Sequence, residues 1–159
     1  MSTQDSTAPS ATAPQATTQP AGTPPVTRAD VLARAKFWFN RHVPYSQQRT
    51  YPDPQGKRYP TDGPGFASMA LKLPGSKNAR QLAAPGFADP IAKNDLRPGD
   101  LIISTKDNHV LVFIGWASTG KGSYWAYEQT TPAIKHHILP YPYYHRNPGY
   151  LPYRPKHIT

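Results

Sequence analysis

Apolar residues recur at helical spacing only in the first half of this 159-residue chain, and as strand-type runs only in the second. Helices first and strands afterwards predict an α+β domain, with N-terminal helices packed on an antiparallel sheet rather than an alternating parallel one. Thr27 stands where an N-cap belongs, with Asp30 three residues on in a capping-box-like pair. Val31, Leu32, Ala35, Trp38 and Phe39 follow at helical spacing, so residues 28–41 are expected to form a helix that Pro44 ends. A long polar loop is expected from Tyr45 to Asp62. A second helix opens at Gly63-Pro64, where proline's missing N–H costs nothing, and buries a stripe of Phe66, Met69, Ala70 and Leu73. Residues 74–94 read as loop, with a short helix over 79–82.

Four strands are predicted in the second half: 101–104, 109–116, 123–130 and 133–139. The tight turn Asp95-Leu96-Arg97-Pro98-Gly99-Asp100 precedes the first, and the short spacings imply antiparallel neighbours. The tail from His136 to Thr159 mixes Tyr and Pro with basic residues and reads as an extended strap over the core. Residues 1–27, rich in Thr, Ala and Pro with Asp5 their only charge, are expected to be a disordered tether ahead of one domain over 28–159.

The chain has no cysteine. That excludes a disulfide scaffold, a thiolate metal site, a redox dithiol and a cysteine nucleophile. No apolar run is long enough to span a bilayer, and no secretory signal precedes the domain. Net charge is +9, with all 18 basic residues after the tether, which favours anionic partners such as nucleic acid, acidic lipid or an anionic wall polymer. Only one of the nine acids is a glutamate, Glu128, set among aromatic residues of a predicted strand. A metal site built from Asp107, His109, His136 and His137 is disfavoured, since adjacent strand histidines point to opposite faces. Nucleic-acid binding is not expected, because no binding motif accompanies the basic-aromatic tail. No cofactor is expected.

Four motifs occur in a fixed order: Thr61-Asp62-Gly63-Pro64-Gly65-Phe66 opening a helix, Leu96-Arg97-Pro98-Gly99-Asp100 before a strand, His109-Val110 starting the next strand, and Glu128 in the one after. Over residues 28–158 the chain resembles the NlpC-type cell-wall peptidases of papain-like fold, in particular their secreted actinobacterial members. Members carry Asp-Cys-Ser-Gly-Phe at the helix start, where the helix end promotes the thiolate and a strand histidine pairs with it. They cut peptidoglycan stem peptides beside the D-glutamyl residue.

The resemblance implies that His109 is the base, Glu128 the residue that orients it, and Asp62 and Tyr45 the contacts to the substrate's free amine. The nucleophile position holds Gly63, and the next residue is Pro64, which also withholds an N–H from the oxyanion site. Thr61 and Ser68 are too far along the chain to replace the missing thiol. Asp62 has a purely structural alternative as a helix cap, and Glu128 as a charge on a solvated strand face. The expected protein is therefore a non-catalytic NlpC-type monomer, a stem-peptide binder or regulator outside the cell or at the wall, with peptidoglycan or another anionic wall polymer as partner. Two alternatives stand beside it: an endopeptidase of the same family whose cysteine was replaced at position 63, and a structural or host-interaction protein that keeps only the fold.

Overall fold

The computed structural model describes residues 23–159. Most of the segment expected to be a tether, residues 1–22, lies outside the described residues. Within the rest of it, Val26 is buried, forms a parallel bridge with Ile158 and joins the core. The folded part therefore starts by Val26, two residues ahead of the expected boundary.

Helix α1 spans Arg28–Asn40, and the Thr27 hydroxyl accepts from the N–H of Asp30 at 3.0 Å. It buries Val31, Ala35 and Trp38 together with a charged residue, Arg34. Arg34 is matched on every side: Nη2 donates to Asp53 at 2.6 Å, Nη1 to Gln55 at 2.7 Å and Nε to the Met69 carbonyl at 2.8 Å. A buried guanidinium is tolerable only with such partners.

Part of the expected loop over 45–62 is a hairpin of β1 (Thr50–Pro52) and β2 (Arg58–Pro60). Its turn is built by Asp53, whose Oδ1 accepts from the N–H groups of Gln55 and Lys57, and by Gly56 at φ +89°. Helix α2 (Gly63–Ala70) follows and is buried at every position, not along the single stripe expected. It lies between α1, β2 and the central strand β5 (His109–Trp116), and Gly65 lets it approach β2. A Cβ there would stand 2.1 Å from the Pro60 carbonyl oxygen. The short helix α3 (Ala79–Leu82) has a full capping box from Asn78 and Gln81.

The main sheet has six strands in the order β3-β8-β4-β5-β6-β7, every pair antiparallel. Four follow the sequence expectation: β4 (Leu101–Ser104), β5 (His109–Trp116), β6 (Ser123–Glu128) and β7 (Lys135–Pro140). Two do not. β3 (Ala88–Pro90) lies in a segment read as loop, and β8 (Leu151–Pro155), read as strap, is inserted between β3 and β4. Alternation splits the sheet residues between two cores. Leu101, Ile103, Val110, Val112 and Tyr127 face the helices, while Ile102, Leu111, Phe113, Tyr124, Ala126 and Leu139 face Tyr150, Tyr143, Tyr141 and Trp116. The expected strap over the core is the stretch between β7 and β8, where the Tyr124 hydroxyl donates to the Pro142 carbonyl at 2.8 Å. Among the described residues no helix is long and apolar enough to cross a membrane.

Candidate functional site

His109 opens β5, and the start of α2 packs against it. The pairing of β5 with β6 puts Glu128 on the same sheet face as His109, and His109 Nε2 lies 2.7 Å from Glu128 Oε2. Pairing of β6 with β7 brings a second imidazole to that carboxylate, with His137 Nε2 2.9 Å from Oε1. The hydroxyl of Tyr143, from the segment after β7, donates to Oε2 as well. Glu128 thus takes three hydrogen bonds with its side chain 1% exposed. Burial alone would raise its pKa, but the bonds from His109, His137 and Tyr143 outweigh burial and hold it down at about 2. The same contact works the other way on Tyr143: burial first, then the bond to Glu128, push its phenol well above the ordinary range.

An ionised Glu128 accepts, so Nε2 of His109 carries the proton of that bond, and Nδ1 is turned toward residue 63. A Cβ built on Gly63 would stand 2.5 Å from that nitrogen, closer than any real carbon packs. The imidazole occupies the place where a side chain at the helix start would emerge.

The helix start offers little to a developing anion. Asp62 caps α2: its Oδ1 accepts from the N–H of Gly65 at 2.8 Å and its carbonyl from that of Phe66 at 3.0 Å. Pro64 has no N–H. Of the first turn, only Gly63 keeps an N–H not engaged by Asp62. The two hydroxyls nearest in sequence are turned elsewhere. Ser68 is fully buried, donates to the Pro64 carbonyl at 2.9 Å and accepts from Lys77. Thr61 donates to the Ser46 carbonyl at 3.3 Å.

Asp62, Gly63, His109 and Tyr45 share the wall of one cleft of about 310 Å³, with Asp107 and Tyr150 among the other lining residues. Glu128 stands behind His109. All five residues singled out from sequence are therefore brought to one place. Tyr45 accepts from Gln47 Nε2 at 2.9 Å, and Tyr150 donates to Asp107 Oδ2 at 3.0 Å. The cleft wall carries two carboxylates and no lysine or arginine, in a protein of net charge +9. A larger cavity of about 470 Å³ lies beside Phe87 and His157 and contains none of these groups.

Four residues of the site escaped the sequence argument: Asp107, His137, Tyr143 and Tyr150. For His137 a signal was present. His136 and His137 had to face opposite ways, so one of them had to share the face of Glu128. His136 indeed turns away, stacking on Trp125 at 5.1 Å between ring centroids. The tyrosines carried no local signal, since their approach depends on the path of the chain between β7 and β8. Among the described residues, no group of three or more His, Asp or Glu side chains is arranged to hold a metal ion. No family model, curated protein or solved structure matches the chain.

Proposed function

We propose that this α+β domain is a papain-like NlpC-type domain without catalytic power, exported to the cell wall, where it holds peptidoglycan stem peptides without cutting them. The observation that carries this reading is the seat of His109 over Gly63, with Nε2 anchored on Glu128. Base and orienter are retained at a helix start that has no nucleophile and no space for one. Loss of the nucleophile removes most of the rate enhancement of such a site, leaving only residual binding effects. Asp62, Asp107 and the phenols of Tyr45 and Tyr150 make the cleft suited to a ligand that presents an ammonium group among amides and hydroxyls.

Titration calorimetry with a soluble stem peptide bearing a free amino terminus tests this, with the mixture chromatographed afterwards. Saturable binding is expected, with the peptide recovered intact, and N-acetylation of the peptide should weaken it. Peptide fragments would restore the enzyme reading. Failure to bind at any accessible concentration would favour a structural role.

A further inference from the structure

The cavity of about 470 Å³ beside Phe87 and His157 shares no lining residue with the cleft. It is framed by α3, the turn that follows it and the stretch just after β8. Backbone bonds fix the frame: the N–H of Lys156 donates to the Phe87 carbonyl at 2.8 Å, and the N–H of Lys77 to the Ser68 hydroxyl at 2.9 Å. Two rings form its flat walls. Phe87 and His157 lie with centroids 5.4 Å apart and planes inclined by 50°. His157 brings no charge to it. Its Nε2 donates to the Leu71 carbonyl at 3.1 Å, its Nδ1 is enclosed without a partner, and burial lowers its pKa.

Among the described residues the wall holds no Asp or Glu. Two ammonium groups border it, and they differ. Lys156 is committed, its Nζ donating to Asp89 at 2.8 Å. Lys77 is half-buried, with Nζ 5.6 Å from the centroid of the Phe87 ring, and makes no ion pair among the described residues. Gln81 uses its side-chain oxygen to accept from the N–H of Asn78, which leaves its NH₂ free to donate. A half-buried cation without a counter-charge loses hydration that an aromatic ring returns only in part. A carboxylate placed at Lys77 would complete it, and the ring faces beside it would cover the body of the same molecule.

We propose that this cavity binds a small aromatic monocarboxylate, with its ring against Phe87 and His157 and its carboxylate on Lys77 and the Gln81 amide. One uncommitted cation matches one negative charge. Two ring faces match a flat body better than a flexible chain, and about 470 Å³ lies within the range of small-molecule sites. Charge separates the two sites: the cleft, with Asp62 and Asp107, suits an ammonium group, and this cavity a carboxylate.

Hydrocinnamate serves as the probe, titrated into the full chain and followed by amide chemical shifts, with hydrocinnamyl alcohol, phenylpropylamine and octanoate as comparisons. It should bind saturably and shift the amides of Lys77, Gln81, Phe87 and His157, not those of Asp62 and His109. Lys77→Gln should weaken it by about tenfold or more, the effect usual for loss of one hydrogen bond to a charged group, and leave affinity for the alcohol unchanged. Ala84→Trp, which fills the cavity from its wall, should abolish binding of hydrocinnamate. Both variants should bind stem peptide as the parent does, so the two sites fail separately. Equal affinity for the alcohol, the amine or octanoate would overturn the proposal, as would indifference to Lys77→Gln or shifts gathered at the cleft. Displacement of the probe by a peptide of residues 14–22 would overturn it too, assigning the cavity to the chain's own segment ahead of Thr23, a wall residue.

Discussion

The imidazole of His109 and the backbone of Gly63 exclude any side chain between them: Nδ1 lies 2.5 Å from where a Cβ on residue 63 would stand. Gly63 is not in the left-handed region, so its backbone conformation does not require glycine. The contact does. Elsewhere in the first turn of a helix, Gly→Ala is neutral or favourable by up to about 1 kcal/mol. Here Gly63→Ala must push the ring away from Glu128, and overpacking of this kind costs about 1–3 kcal/mol. In a His109→Ala background the obstacle is gone and the sign should reverse. Denaturation of the two single variants and the double variant measures the coupling, which should exceed about 1 kcal/mol. Additive effects would mean that the ring yields freely.

Asp62 does two jobs that substitution can separate. As the cap of α2 it bonds the N–H of Gly65, and as a cleft residue it presents charge. Asp62→Asn keeps a capping oxygen and removes the charge, so stability should stay within about 0.5 kcal/mol of the parent. Binding of an amine-bearing peptide should fall. Asp62→Ala should lower stability by about 1 kcal/mol as well. Equal peptide affinity of the parent and Asp62→Asn would reduce Asp62 to its cap.

Glu128 should make the domain acid-sensitive. Its folded pKa of about 2 lies below the ordinary 4.5, so the unfolded state takes up the proton first as pH falls. The stability it contributes is complete above about pH 4.5 and is lost as pH falls through about 2. A shift of that size in a nearly unexposed carboxylate is worth on the order of 3 kcal/mol. Urea unfolding of the parent and Glu128→Gln between pH 7 and pH 2 reads it directly. The gap between the two should be widest near neutrality and close toward pH 2. Parallel curves would show that the three donors do not depress the carboxyl.

The helix starts and the four strands around His109 were legible because each is a local pattern, whereas the gathering of Tyr45, Asp62, Gly63, His109 and Glu128 was implied only by the resemblance. Apolar spacing, a proline at a helix start and a β-type run survive any tertiary context. Two strands were hidden by proline. Pro152 and Pro155 lie in β8, which is paired on both edges, although proline cannot donate to a ladder. Pro152 serves through its carbonyl, which accepts from Ile91 at 3.2 Å. The hairpin at Asp53 was concealed because its strands are only three residues long and each ends in proline. The clash over Gly63 was invisible for another reason. Sequence showed that a nucleophile was missing, but only the fold shows that histidine has taken its space.

Gly65 illustrates a glycine demanded by packing. From sequence it is only one residue of the motif that opens the helix, and the fold sets it inside α2 against β2. A Cβ there would approach the Pro60 carbonyl oxygen to 2.1 Å and its carbon to 2.7 Å, both backbone atoms with little freedom to move. Gly65→Ala should therefore force α2 away from the hairpin and destabilise the fold by about 3 kcal/mol or more, the upper part of the overpacking range. Gly75, whose Cβ would meet nothing within 4 Å, is the control and should accept alanine within about 0.5 kcal/mol. Similar melting temperatures for the two variants would place α2 further from β2 than described.

Asp100 ties the two ends of the folded chain to its middle. It is fully buried at the turn before β4. Arg28, at the start of α1, donates to Oδ1 at 3.0 Å, and Arg154, on β8, donates to Oδ1 at 3.2 Å and to Oδ2 at 2.9 Å. The N–H of Arg97 completes the set at 2.8 Å from Oδ2. With the carboxylate fully satisfied, the two cations offset a desolvation cost that neither would cover alone. Asp100→Asn removes the charge and sets an amide NH₂ against donors, leaving two guanidinium groups near each other without their anion. Breaking a buried pair in this way costs about 3–5 kcal/mol. For a domain of this size that corresponds to a fall in Tm of roughly 10 °C or more. Arg28 is the more dispensable partner, since Arg154 binds both oxygens, so Arg28→Met should cost less than Arg154→Met. Hydrogen exchange locates the damage: in Arg154→Met, protection should drop along β8 and its neighbour β3 while β5 and β6 stay protected. Uniform loss across the sheet would show that β8 unfolds only with the whole domain and that Asp100 acts on global stability alone.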